Sequence, residues 1–215
     1  MRLSPLLLLA AVPFSLALAA PAPTKAKPKV APKKPAKKLT KEQIVDALWK
    51  QSDVKFHAGD YPGAVALHRK IVALEPTDTE SYSVASWLLW SLGKKDDAMA
   101  FIQKGLDANP KNAEMWDAAG QHYNLQKLPL KAETAFGKAV GLSGKKADKM
   151  LRRRYAHAAR EAGHLGKSAQ IWRALVADFP DDAVNKNNLA RVEEMLSQSQ
   201  KGRTQSAALD FRTLI

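Results

Sequence analysis

The sequence predicts an all-α fold, a right-handed α-solenoid of about four helix hairpins closed by a C-terminal capping helix. Three observations carry this expectation. Small side chains recur in pairs, Ser52 with Ala64, Ser86 with Ala98, Gly120 with Ala132 and Ala156 with Ser168. Two antiparallel helices approach closely only where side chains are small, so each pair marks a crossing. Pro76 and Pro110 stand 34 residues apart, and the frame continues to Pro180 after an insertion at Gly144-Lys145-Lys146. One such hairpin cannot cover its own apolar face, so neighbours have to stack.

The chain begins with Met1-Arg2, an almost wholly apolar run from Leu6 to Leu18, and a small-x-small site at Ala17-Leu18-Ala19. Residues 1–19 therefore read as a secretory signal peptide cut after Ala19. The apolar run is short for a bilayer span, so no transmembrane segment is expected after cleavage. The expected location is periplasmic or secreted.

Residues 20–40 form a Lys/Pro/Ala-rich linker, expected to be disordered. Its prolines forbid a helix and favour polyproline II. Seven lysines between Pro21 and Lys38 face no acidic residue. The segment reads as a semi-rigid spacer of about 60 Å reach. It also reads as a tether to an anionic envelope surface. The net charge is +13, and setting Arg2 and these lysines aside leaves +5 for the rest. Nucleic acid is not an expected partner, because the segment has no aromatics for base stacking.

Residues 41–196 hold the repeats. The third is the clearest: Trp116, Ala119-Gly120 and Tyr123, then Ala132, Phe136, Ala139 and a break at Gly144. This resembles the tetratricopeptide repeat, W-x2-L-G-x2-Y, A-x3-F and P over about 34 residues. Ala119 replaces Leu and Gly144 replaces Pro. One repeat earlier, Tyr82, Ser86, Leu89, Ala98 and Gly105 fall in the same frame. Earlier still come Leu48, Ser52, Ala64 and Ile71, and later Ala156, Ser168, Trp172 and Leu175. Trp116, Phe136 and Trp172 are expected to fill the space between helices. Thr40 with Gln43 forms a capping box for the first helix. Gln51 and Lys55 are polar where later repeats are apolar, as suits a first repeat with no predecessor. Asp182 caps a helix from Ala183 to Leu196, with Leu189 turned to the stack and Asn185, Lys186, Asn188 and Arg191 turned to water. Residues 197–215 are expected to be a flexible tail, whose Thr213-Leu214-Ile215 end is similar to a PDZ ligand.

The resemblance implies a protein-binding scaffold whose concave face is lined by the first helix of each hairpin. Projected onto this chain, that face holds Asp46, Trp49, Asp53 and Phe56, then Glu80, Ser83, Trp87 and Trp90. It continues through Glu114, Asp117, Gln121 and Asn124 to Arg153, Arg154, His157 and Arg160. The expected partner-binding residues are Trp49, Asp53, Phe56, Trp87, Trp90, Asp117, Arg153, His157 and Arg160. They make a groove aromatic and acidic at one half and basic at the other, suited to a protein or peptide with apolar anchors. The family's clamp for a C-terminal carboxylate is not expected, since its places hold Trp49, Asp53, Val84, Glu114 and Ala118.

No enzyme, metal or cofactor is expected. The absence of cysteine excludes disulfides, thiol catalysis and Cys-based zinc sites. The five histidines show no H-E-x-x-H spacing. Gly166-Lys167-Ser168 lacks the earlier glycine of a phosphate loop, having Glu161 there. The function expected is a non-catalytic scaffold for protein–protein interactions in the bacterial periplasm or cell envelope. The alternative is a structural tether acting through the lysine-rich arm.

Overall fold

The structure, a computed structural model, describes residues 38–213, with side chains described as far as Gly202. The signal peptide, nearly all of the lysine-rich linker and the last two residues lie outside the described residues. Eight helices pair as hairpins: α1 (Lys41–His57) with α2 (Tyr61–Leu74), and α3 (Thr79–Ser91) with α4 (Lys95–Ala108). Then come α5 (Ala113–Leu125) with α6 (Pro129–Ser143), and α7 (Lys149–Glu161) with α8 (Leu165–Asp178). A single helix, α9 (Ala183–Thr213), follows. The insertion at Gly144–Lys146 forms one 3-10 turn. Each helix packs on the one before it and the one after it, and no strand occurs among the described residues. The α-solenoid expected from the repeat frame is the fold.

Local chemistry sets the helix boundaries. The capping box is present, with Gln43 N donating to Thr40 Oγ1 and Thr40 N donating to Gln43 Oε1. The first helix of each later hairpin is capped by a side-chain acceptor without the return bond. Asp78 Oδ1 accepts from Ser81 N at 2.8 Å, Asn112 Oδ1 from Met115 N at 3.0 Å and Asp148 Oδ1 from Leu151 N at 2.8 Å. Asp182 caps α9, accepting from Asn185 N at 3.3 Å. Each bond satisfies an amide that the first turn leaves without a partner. Within hairpins the turn needs one residue with positive φ. Gly59, Gly93 and Gly163 supply it, and Lys127 takes the same place at φ 59°. The following amide then reaches back five residues: Asp60 N to Lys55 O, Lys94 N to Leu89 O, Leu128 N to Tyr123 O and His164 N to Ala159 O.

The crossings lie where the small residues predict. Ser52, Ala64, Ser86, Ala98, Gly120, Ala132, Ala156 and Ser168 are all buried. Gly120 is the tightest case, since a β-carbon there would sit 2.6 Å from the Phe136 ring. Phe136 and Trp172 are fully buried. Trp116 is half-buried, its Nε1 donating to Pro110 O at 2.8 Å and its ring lying under the Lys138 ammonium.

Both ends of the stack are polar. Gln51 and Lys55 are exposed on α1. On α9 the exposed Lys186, Ala190 and Glu193 occupy the places of Arg152, Ala156 and Ala159 on α7. Ala190 is thus the small crossing residue of a further repeat, but charge on both sides of it leaves the face soluble without a partner helix. Two expectations are corrected here. Asn185 does not face water; it is fully buried, donating to Leu175 O and accepting from Arg153 Nε. The capping helix does not end at Leu196, because α9 continues without a break to Thr213. The segment beyond Leu196 contains no proline and only one glycine, Gly202, so nothing in it stops a helix already nucleated.

Two substitutions test these assignments by urea denaturation. Gly120→Val is expected to destabilise by about 3 kcal/mol through collision with Phe136. Lys127→Gly is expected to stabilise by about 0.5–1 kcal/mol, since it removes a left-handed strain at the cost of chain entropy.

Candidate functional site

The first helices of the hairpins bring the expected groove residues together in distinct groups. The first group surrounds a cleft of about 220 Å³ between α1 and α3, lined by Trp49, Asp53, Phe56, Val84 and Leu88 with Ser52 and His68 at its base. Trp49 is half-buried and fixed, its Nε1 donating to Asp78 Oδ2 at 2.9 Å and its ring edge-on to His68. His68 is buried, with its ring nitrogens hydrogen-bonded to the Ser52 hydroxyl at 2.9 Å and the Ser81 hydroxyl at 3.1 Å. This chain of neutral groups joins α1, α2 and α3. Burial lowers the His68 pKa, so the ring is uncharged. Ser52 is only 3% exposed and its hydroxyl points into this network, so it is not presented as a nucleophile. Phe56 is 46% exposed and Asp53 stands well out in solvent, within 3.3 Å of His57.

The second group is Trp87, Trp90 and His122. Trp87 is exposed on the surface, while Trp90 is half-buried under the Lys95 ammonium. Both rings pack on His122, with centroids 5.3 and 6.0 Å away. His122 is fully buried, and neither ring nitrogen has a hydrogen-bond partner. Burial alone pushes its pKa down to about 4. Sequence reasoning missed His122. The available signal was its frame position, equivalent to the core residue Leu88.

The arginines behave differently from the sequence expectation. Arg154 makes a two-point bond to Asp117 at 2.8 and 2.7 Å, tying α7 back to α5. Asp117 is half-buried, and burial raises its pKa in spite of Arg154. Arg153 pairs with Asp182 at 2.6 Å and donates to Asn185, tying α7 forward to α9. Arg152 pairs with Asp178 at 2.6 Å, and Lys149 with Asp182 at 2.8 Å. Asp117 and Arg153 are therefore engaged in links between hairpins. His157 is half-buried and edge-on to Trp172 at 5.0 Å, its pKa lowered by burial and then by Arg160. Arg160 meets Glu161 at 3.4 Å. Among the described residues no group of acids and histidines is arranged to hold a metal ion, and no helix is long and apolar enough to cross a membrane.

Stacked hairpins with an aromatic inner face define a helical-repeat scaffold. A family model described as tetratricopeptide repeat matches residues 55–121. Residues 55–121 thus carry tetratricopeptide repeats, and the hairpin stack has the fold of tetratricopeptide-repeat structures. Among solved structures it is similar to the MamA protein, with TM-score 0.59 and 16% identity over 76% of this chain and 88% of that one. It is also similar to TTC0263, a thermophilic repeat protein of Thermus thermophilus, with TM-score 0.53 and 20% identity over 70% of this chain and 82% of that one. A third is YrrB, described as having an unusual peptide-binding site, with TM-score 0.57 and 16% identity over 74% of this chain and 86% of that one. At such identities the likeness concerns the fold. No curated protein sequence matches the chain.

The buried neutral His122 makes stability pH-dependent. Its folded pKa lies below its unfolded value, so the unfolded chain binds the proton first as pH falls. The contribution is intact above about pH 6.5 and is lost progressively toward pH 4. Between pH 7.5 and 4.5, His122→Leu is expected to remove about 2–3 kcal/mol of the acid destabilisation measured by urea unfolding.

Proposed function

We propose that this protein is a non-catalytic scaffold that captures a segment of another protein along the inner face of its repeats, after export to the periplasm or cell envelope. Tetratricopeptide repeats are protein–protein interaction scaffolds, and the observation that carries the reading here is the aromatic surface of α1 and α3. Phe56 and Trp87 are large apolar side chains left 46% and 38% exposed beside a ready-made cleft. Exposed aromatics in such a setting are the side chains that dominate binding at interfaces. The signal-like residues 1–19 support the location, and the absence of cysteine is compatible with an oxidising compartment.

The basic half of the expected groove has a changed part in this reading. Arg153 and Arg154 brace the scaffold, and Arg160 and His157 remain at its far end. The lysine-rich segment between Pro21 and Lys38 supports a second reading, in which that segment holds an anionic surface and the repeats are carried along.

A photo-crosslinker placed at Trp87 of the full chain, expressed in its native cells, is expected to trap a defined partner. Phe56→Ala with Trp87→Ala is expected to weaken co-purification of that partner at least tenfold. Deleting Pro21–Lys38 is expected to leave it intact; loss on that deletion alone, with collapse of binding in modest salt, would favour the tether. The intact mass of the exported protein should lack residues 1–19.

A further inference from the structure

The cleft between α1 and α3 has a reason to be open that points to what enters it. Adding one repeat length to its residues gives the next interval, between α3 and α5. There Trp87 stands in the place of Asp53, and His122 in the place of Leu88. In that interval the Trp87 ring lies on His122 and helps bury it completely. One repeat earlier the side chain is an aspartate, too short to lie over Leu88, and the corresponding space is a cleft of about 220 Å³. The cleft is thus the site of an indole that the first repeat does not supply.

Its walls and base define the guest. The walls are the apolar Trp49, Phe56, Val84 and Leu88. At the base, the His68 nitrogens are already bonded to Ser52 and Ser81, and the Trp49 N–H to Asp78. A polar guest would lose water and find these groups engaged, so the cleft favours an apolar one. A closed apolar cavity of about 150 Å³ holds benzene. This larger, open cleft has room for a phenyl or indole ring.

The rim has a sign. Asp53 sits on it, Asp46 lies two turns earlier on the same face of α1, and Glu80 lies one turn before Val84 on α3. Among the described residues none of the three is paired with a lysine or arginine. The chain as a whole is +13, so this acidic rim runs against the overall charge. We propose that the cleft is the anchor pocket for a cationic segment of a partner protein, taking one aromatic side chain flanked by lysine or arginine. The inference rests on the reading of the inner face as a capture surface, and adds the chemical class of what is captured.

The test uses the full chain and three fluorescent ten-residue peptides. The first has a single tryptophan among lysines and alanines, the second has alanine for the tryptophan, and the third has glutamates for the lysines. The first is expected to bind, and the other two to bind at least tenfold more weakly. Asp53→Trp, which fills the cleft with the indole found one repeat later, is expected to weaken the first peptide at least tenfold while the thermal midpoint stays level or rises. Asp53→Asn, which keeps the cleft and removes the charge, is expected to weaken it a few-fold and flatten its salt dependence.

Equal binding of all three peptides, or full binding by Asp53→Trp, overturns the proposal. So does a wild-type dimer in sedimentation that Asp53→Trp dissolves, which would make a second copy the occupant. Tighter peptide binding after deletion of Pro21–Lys38 would make the chain's own lysine-rich segment the occupant, and would also overturn it. If Asp53→Trp leaves the partner trapped at Trp87 unchanged, the anchor pocket falls and the capture surface stands. If no partner is trapped there at all, both fall.

Discussion

Everything in this protein depends on how closely the two helices of each hairpin approach. At Gly120 the Phe136 ring occupies the space that a β-carbon would need, and at the other crossings nothing larger than serine or alanine is present. That approach fixes the angle of each hairpin, and the repeat length of the sequence fixes where the next hairpin lies. The aromatic surface then follows from geometry. Residues offset from the crossings on the first helix of each hairpin share one face, so a change of residue type along the frame becomes a change of surface along the stack.

The crossings and the caps at Thr40 and Asp182 were legible in the sequence because each is a local property. A small residue, a glycine at positive φ or an aspartate before a helix acts on atoms within one turn or one hairpin. The third repeat showed the frame directly, and Ser52, Ser86 and Ala156 extended it. The positions of Phe56 and Trp87 followed from the same frame. Trp49 shows the limit, since its indole is held by Asp78, a residue that the repeat frame does not mark.

The parts that were not legible are contacts between side chains distant in sequence. Arg153 reads as a surface cation until Asp182 and Asn185 are placed against it. Asn185 reads as a solvent-facing residue until the same contact buries it. His122 carries no local mark at all, because what makes it unusual is burial against the Trp87 and Trp90 rings one repeat earlier. The continuation of α9 past Leu196 escapes for another reason: a polar sequence reads as a loop, although polarity alone does not break a helix.

The links between hairpins also change character along the stack. Beside the apolar core, the first two hairpins are tied by the Ser52, His68 and Ser81 chain and by the Trp49 indole on Asp78, whereas the last two hairpins and α9 are tied by ion pairs of Arg154, Arg153 and Lys149. Dissolved electrolyte weakens partly exposed ionic contacts and hardly touches neutral ones. In this respect the molecule resembles a spring made of two alloys: the polar ties of its C-terminal coils loosen in brine more than those of its N-terminal coils.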